Sequence, residues 1–275
     1  MDEGNEMRLT TKIALQLLKR DGYRLEDIWD SWQLVLADSA TRDEHAFRRK
    51  MNHYLLFRQL RTLIETHRIG LVVDVGAHVG SFAQSLRKSG YSDSILSVEP
   101  NPEHHAKLRH DSSTDPTWDI VPHAIGLSPG TVDIRIPTDG SFASTLPMTA
   151  DAERIFGSLV SGTRSVRVEQ FPLSEIIRLH EIESQSASCP ILLKTDTQGL
   201  DRVVVQSAGH LIDERIKVLL VEIPVIALYE GVGGLSSNNE YYESLGFRAA
   251  GAYPISWTQG DEVVEFDFVY VRRSD

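Results

Sequence analysis

Leu71-Val-Val-Asp-Val-Gly-Ala-His-Val-Gly80 is the stretch whose reading decides the fold. Leu71, Val72 and Val73 form a short apolar run, two of the three β-branched, as suits a parallel strand covered on both faces. The run stops at Asp74. Gly76 and Gly80 permit a tight turn and close approach of backbone to a ligand. A helix starts near Ser81, and its first N–H groups aim at whatever lies over the turn. The pattern is D-x-G-x-x-x-G, whereas the dinucleotide fingerprint is G-x-G-x-x-G. Asp74 stands where that fingerprint has its first glycine. A carboxylate there repels a phosphate and attracts an ammonium or sulfonium group, which favours S-adenosylmethionine over NAD.

Working outward, strands alternate with helices, as in a parallel α/β sheet. Strands are expected at Ile95–Glu99, Ile120–Ala124, Ile191–Asp196 and Ile216–Glu222. Two more, Phe247–Ala252 and Val264–Arg272, close the chain. Asn101 and Pro102 read as a cap and a first-turn proline, opening a helix to about His110. Val132, Ile134 and Ile136 alternate with polar residues, as do Val166 and Val168. This marks an antiparallel insertion around the loop Gly140-Ser-Phe-Ala-Ser-Thr145. Upstream, residues 7 to about 37 and 44 to 66 carry apolar side chains at helical spacing. Residues 1–66 are therefore expected to be a helical N-terminal appendage, and 67–275 the cofactor-binding domain. The arginines and histidines of residues 42–68 form either a solvated face or a substrate or subunit contact, so a homo-oligomer through these helices is open.

The 275 residues carry a formal charge of −11, which argues against non-specific binding to nucleic acid or anionic lipid. The one cysteine, Cys189, allows neither an internal disulfide nor a cysteine-based zinc site, and the 10 histidines show no H-x-x-x-H pattern on a plausible helix. Asp2, Glu3 and Glu6 are unlike a signal peptide, and no apolar run approaches ~18 residues. A cytoplasmic protein with no membrane segment is expected.

In open α/β sheets the ligand lies beyond the carboxyl ends of the strands. Four such ends carry acids: Asp74, Glu99, Asp196 and Glu222. Glu99 can accept from both hydroxyls of a ribose, which NAD and S-adenosylmethionine share. The turn residues Gly76, Ala77, His78 and Gly80, the helix start Ser81 and Phe82, and Pro100 and Asn101 beyond Glu99 complete the candidate cofactor shell. His123 and Ala124 would wall the adenine, with Asp119 a candidate acceptor for its amino group. Asp196 reads as a general base or as one of two carboxylates, with Glu222, on a divalent metal. Gln198 disfavours the metal, because a third acid there would help it. Lys194, two positions before Asp196, shares its strand face and either tunes and orients the site or forms a structural pair with Asp196. Ser144 could fold over the cofactor, and Ser141, Phe142 and Glu222 would face the acceptor.

These residues together resemble the FkbM-type methyltransferases, a group of class I S-adenosylmethionine-dependent enzymes. The matching pieces are VVDVGAHVGSF (72–82), LSVEPNP (96–102), HAIGLSPGTV (123–132), SFAST (141–145), LLKTDTQGLD (192–201) and LLVEI (219–223). The resemblance implies a Rossmann-like seven-stranded sheet of order 3-2-1-4-5-7-6 with the last strand antiparallel. It implies O-methylation of a hydroxyl on a small molecule, often a sugar or natural-product intermediate. Asp74, Gly76 and Gly80 would carry the methionine-binding role, Glu99 the ribose role, and Asp196 the family's acid after the fourth strand. The chain departs from the family's D-x-E-G at Gln198, while Asp201 stands where a further glutamate is usual.

Overall fold

The computed structural model describes residues 23–28, 31–36, 44–137, 142–160, 162–184 and 188–273. The chain divides into two compact units, Met1–Met51 and Asn52–Asp275. In the first, β1 (Tyr23–Ile28) pairs antiparallel with β2 (Ser31–Leu36), with Tyr23 opposite Leu36 and Ile28 opposite Ser31. The helix expected to run to residue 37 is therefore corrected at 23–28 and 31–36, while residues 29, 30 and 37 lie outside the described residues. Ile28, Trp32, Val35 and Leu36 fit a helical spacing, but such short aromatic and β-branched runs serve strands equally well. The part of that expectation before Tyr23 lies outside the described residues.

Helix α1 (Glu44–His67) enters the second unit at Asn52. Its Leu56, Phe57 and Leu60 are buried in the same cluster as sheet residues Val72, Ile95 and Leu192. Asn52–His67 is thus part of the sheet-bearing unit, tied further by Asn52 and Gln59 donating to the carbonyls of Pro254 and Ala250.

The main sheet has seven strands. In chain order they are β3 (Leu71–Val75), β4 (Ser94–Val98), β5 (Trp118–Val121), β9 (Ile191–Thr195), β10 (Ile216–Pro224), β11 (Phe247–Trp257) and β12 (Val263–Arg272). Their spatial order is β5-β4-β3-β9-β10-β12-β11, and β12 runs antiparallel to both neighbours. That is the 3-2-1-4-5-7-6 order. Every residue of β3 is buried, and alternate side chains serve opposite layers. Leu71, Val73 and Val75 face α5 (Leu173–Ser184) and α6 (Asp201–Ser207) through Ile176, Val204 and Val205. Val72 faces α1, α2 (Ser81–Lys88) and α3 (Pro102–Ser112) through Leu60, Leu86 and Leu108. Two-sided burial is why the strand reads as unbroken apolar sequence.

Asn101 caps α3 by accepting from Glu103 N, with Pro102 in the first turn. The third strand ends earlier than expected. Ala124–Ile125 forms β6 of a separate sheet with β7 (Gly130–Ile136) and β8 (Arg164–Phe171). Within this insertion α4 (Ala150–Phe156) was not anticipated; Thr149 caps it through Ala152 N. The short α7 (Leu211–Glu214) and α8 (Leu235–Ser244) flank β10. Among the described residues no helix is long and apolar enough to cross a membrane.

Candidate active site

A cavity of about 790 Å³ opens beyond the carboxyl ends of β3, β4, β9 and β10. Its floor is set by two loops pressed together. Asp196 N donates to Val75 O at 3.0 Å, and Gly76 N to Val98 O at 3.0 Å. Gly76 has φ +77, and a Cβ there would lie 1.9 Å from Asp196 O. The glycine therefore serves contact between two strand ends as much as approach of a ligand. Gly80, at φ +83, acts differently. A Cβ there would meet Leu108 and Trp118, so the glycine lets α2 sit close to α3 and β5.

Glu99 is held before any ligand arrives. Its Oε2 accepts from His78 N at 2.7 Å and its Oε1 from Asn101 N at 2.8 Å. Each carboxylate oxygen retains a free lone pair, and the side chain lines the cavity. Asn101 is buried and outside the cavity, so it acts by holding Glu99 and starting α3. The imidazole of His104 packs edge-on to His78, with centroids 3.9 Å apart, and also lines the cavity.

Asp74 lies beneath the floor and is absent from the cavity wall. It is 0 % exposed, and its Oδ1 is 2.9 Å from Lys194 Nζ. Lys194 Nζ also donates to Gly76 O at 3.2 Å and lies 3.6 Å from Asp196 Oδ2. Burial pushes the Asp74 carboxyl up, with the lysine pulling the other way. Burial also works against the Lys194 ammonium, but Asp74 and Asp196 outweigh it and keep the lysine charged. Asp196, by contrast, is 38 % exposed at the side chain and faces the cavity.

The far wall is acidic. Because β12 is antiparallel, its first residues meet the end of β10: Asp267 pairs with Glu222 and Glu265 with Pro224. Burial, then the neighbouring Glu265, pushes the Glu222 carboxyl well up, and the two acids share a hydrogen bond. Burial pushes Asp267 up to about 7, with Asp196 adding to the effect and Lys194 opposing it. Between the ordinary carboxyl range and pH 7, the native state holds a proton at Asp267 that the unfolded chain releases. Stability from this group is present at low pH and is lost as pH rises through 7. Asp267→Asn is therefore expected to gain on wild type as pH is raised from 5 to 8, by on the order of 1 kcal/mol at the upper end. Thermal melts of both proteins at each pH check this, and a constant difference in Tm would refute it. Among the described residues no group of three His, Cys, Asp or Glu side chains has a metal-site arrangement.

The roof is the loop after β7. Ser144 pairs through its backbone with Arg135, and its Oγ donates to Gln198 O at 2.8 Å. Tyr229 OH bonds Gln198 Oε1 at 2.8 Å and Phe142 O at 3.3 Å. Phe142 packs tilted against Phe156 of the unanticipated α4, with ring centroids 4.8 Å apart. Of the expected site residues, the structure gathers Gly76, Ala77, His78, Ser81, Phe82, Glu99, Pro100, His123, Ala124, Phe142, Ser144, Lys194, Asp196 and Glu222 around one cavity. Asp74, Gly80 and Asn101 stand behind it. Asp119 points elsewhere, half-exposed and 3.4 Å from His180. Ser141 lies outside the described residues. Glu265, Asp267 and His104 belong to the wall and were not singled out; the charged start of an otherwise apolar last strand was the available signal for the two acids.

These residues suit an adenosyl cofactor. Glu99 offers pre-oriented acceptors for a ribose, and His123 Nδ1 is a buried ring nitrogen without a hydrogen bond. The strand order with its antiparallel seventh strand defines a Rossmann-like sheet of the class I methyltransferase type. The chain belongs to the FkbM methyltransferase family, whose domain, described as "Methyltransferase FkbM domain", matches residues 74–251. Family membership settles the choice that Glu99 left open, in favour of S-adenosylmethionine over NAD. Among solved structures, the chain is similar to a methyltransferase of Thermobifida fusca described as putative, at 13 % identity and TM-score 0.47, covering 84 % of this chain and 82 % of that one. A Klebsiella pneumoniae protein described as a putative O-methyltransferase matches at 9 % identity and TM-score 0.41, covering 86 % and 93 %. The neocarzinostatin-biosynthesis O-methyltransferase NcsB1, solved with S-adenosylmethionine and 2-hydroxy-5-methyl naphthoic acid, matches at 12 % identity and TM-score 0.40, covering 83 % and 57 %. No curated protein sequence matches significantly.

Proposed function

We propose that the protein transfers a methyl group to a hydroxyl of a small molecule, a sugar or natural-product intermediate, with Asp196 as general base. The observation that carries this reading is the position of Asp196: it is the partly exposed carboxylate at the end of β9, in the same cavity as Glu99 and beside a charged Lys194. Bound S-adenosylmethionine supplies an electrophilic methyl carbon. Glu99 holds the ribose end, with the Gly76–His78 backbone, Phe82 and Ala124 around it. Asp196 accepts the proton of the attacking hydroxyl at a carboxylate oxygen, worth roughly two to four powers of ten. Lys194 Nζ, 3.6 Å from Asp196 Oδ2, orients that carboxylate. Phe142 and Ser144 in the roof keep water from the reacting end. The acid-lined far wall, with Glu222, receives the acceptor.

Transfer of labelled methyl from S-adenosylmethionine to a panel of hydroxylated sugars and polyketide-type phenols tests this reading. Transfer to oxygen by wild type, falling at least about a hundredfold in Asp196→Asn, is expected. Full turnover by Asp196→Asn would remove the base role. Cofactor affinity is a separate measurement. Glu99→Gln keeps the shape but not the charge, and is expected to weaken S-adenosylhomocysteine binding roughly 10- to 100-fold by calorimetry, the value of one to two charge-assisted hydrogen bonds. Equal affinity in variant and wild type would place the ribose elsewhere.

A further inference from the structure

We propose that Gln198 is a positioning residue that holds Asp196 in its reactive orientation, and that Tyr229 in turn fixes the Gln198 amide. The proposal rests on Asp196 being the base. Gln198 Nε2 lies 2.9 Å from Asp196 Oδ1, and Gln198 Oε1 lies 2.8 Å from Tyr229 OH. Chemistry fixes this amide orientation. An ionised carboxylate is acceptor-only, so the amide NH2 must face Asp196 and its carbonyl must face the phenol. Tyr229 is buried, and burial followed by the charge of Glu222 pushes its hydroxyl up, so it remains a donor. The backbone is committed to the same end. Gln198 sits at φ +53, a conformation a side chain with a Cβ rarely adopts, and Ser144 Oγ bonds its carbonyl at 2.8 Å. Two contacts from two other segments, Tyr229 and Ser144, thus hold one strained residue beside the base.

The consequence for Asp196 is specific. Gln198 occupies Oδ1 and Lys194 stands near Oδ2, which leaves the carboxylate aimed and with lone pairs toward the cavity. A neutral donor does this without adding charge.

The experiment reads the amide directly and needs no acceptor. Full-length protein carrying [15N]glutamine, with S-adenosylhomocysteine present, is followed by NMR, and Gln198→Leu assigns the signal. Expected is a Gln198 side-chain amide exchanging at least tenfold more slowly than exposed glutamines, and returning to their rate in both Tyr229→Phe and Asp196→Ala. Exposed-type exchange in wild type, or a change in one variant alone, overturns the proposal. If one variant fails to fold, the signal in the other decides. With any acceptor found in the transfer panel, Gln198→Leu should lose at least tenfold in kcat with S-adenosylhomocysteine affinity within twofold. A loss that appears in S-adenosylhomocysteine affinity instead of kcat also overturns it. Absence of transfer to every acceptor would count against the O-methyltransferase reading and leave the amide result standing.

Discussion

Gly76→Ala is expected to lower stability by about 2–5 kcal/mol. Two costs combine. The residue has φ +77, where a Cβ costs roughly 1–2 kcal/mol. The new methyl would also lie 1.9 Å from Asp196 O, and backbone cannot swing aside as a side chain can. Overpacking of that kind adds about 1–3 kcal/mol. In a chain of this size the drop in Tm is on the order of 10 °C. Gly90→Ala is the control: it shares the positive φ, at +98, but a Cβ there meets nothing within 4 Å. It should show the backbone cost alone. Cofactor binding should fall with Gly76→Ala even in the folded fraction, because separating the β3 and β9 ends moves Asp196 away from Glu99's side of the cavity. Equal Tm for the two variants would show that contact with the Asp196 carbonyl is relieved at no cost.

The same glycine shows what the sequence could and could not reveal. Gly76 is legible as a turn residue because a D-x-G-x-x-x-G segment after a β-branched run has few other uses. That its nearest neighbour is a carbonyl 120 positions later depends on β3 lying beside β9, which local pattern does not encode. The alternation of β12 hints that Glu265 and Asp267 share a face. Only the antiparallel pairing with β10 brings them to the cavity. Strands β3, β4, β9 and β10 are legible because both of their faces are buried and their sequences are apolar almost throughout. The segment 23–36 misleads because short aromatic and β-branched runs fit two periods. Helix α4 escapes notice because it is only seven residues long and its apolar stripe is just Ala152, Ile155 and Phe156. The Gln198–Tyr229 contact spans 31 positions between two loops, where no periodicity exists to read.

Asp74→Ala is expected to cost about 3–5 kcal/mol, because it leaves the Lys194 ammonium buried without its nearest counter-charge. The acid sits under the floor, so the loss should appear in Tm far more than in cofactor affinity. A residue that touched the cofactor's cationic end, as the motif suggested, would show the reverse. The double variant Asp74→Ala/Lys194→Met separates the two roles. Removing both charges eliminates the unpaired ammonium, and apolar replacement of buried pairs is often neutral or stabilising, so most of the lost stability should return. Methyl transfer should not return, because Asp196 then lacks the Lys194 ammonium that stands 3.6 Å from its Oδ2 and orients it. Recovered folding with S-adenosylhomocysteine affinity within about fivefold of wild type, and transfer still absent, assigns Asp74 to the support of Lys194. A collapse of affinity in the refolded double variant would instead put Asp74 in direct contact with the cofactor, and would require the floor to open on binding.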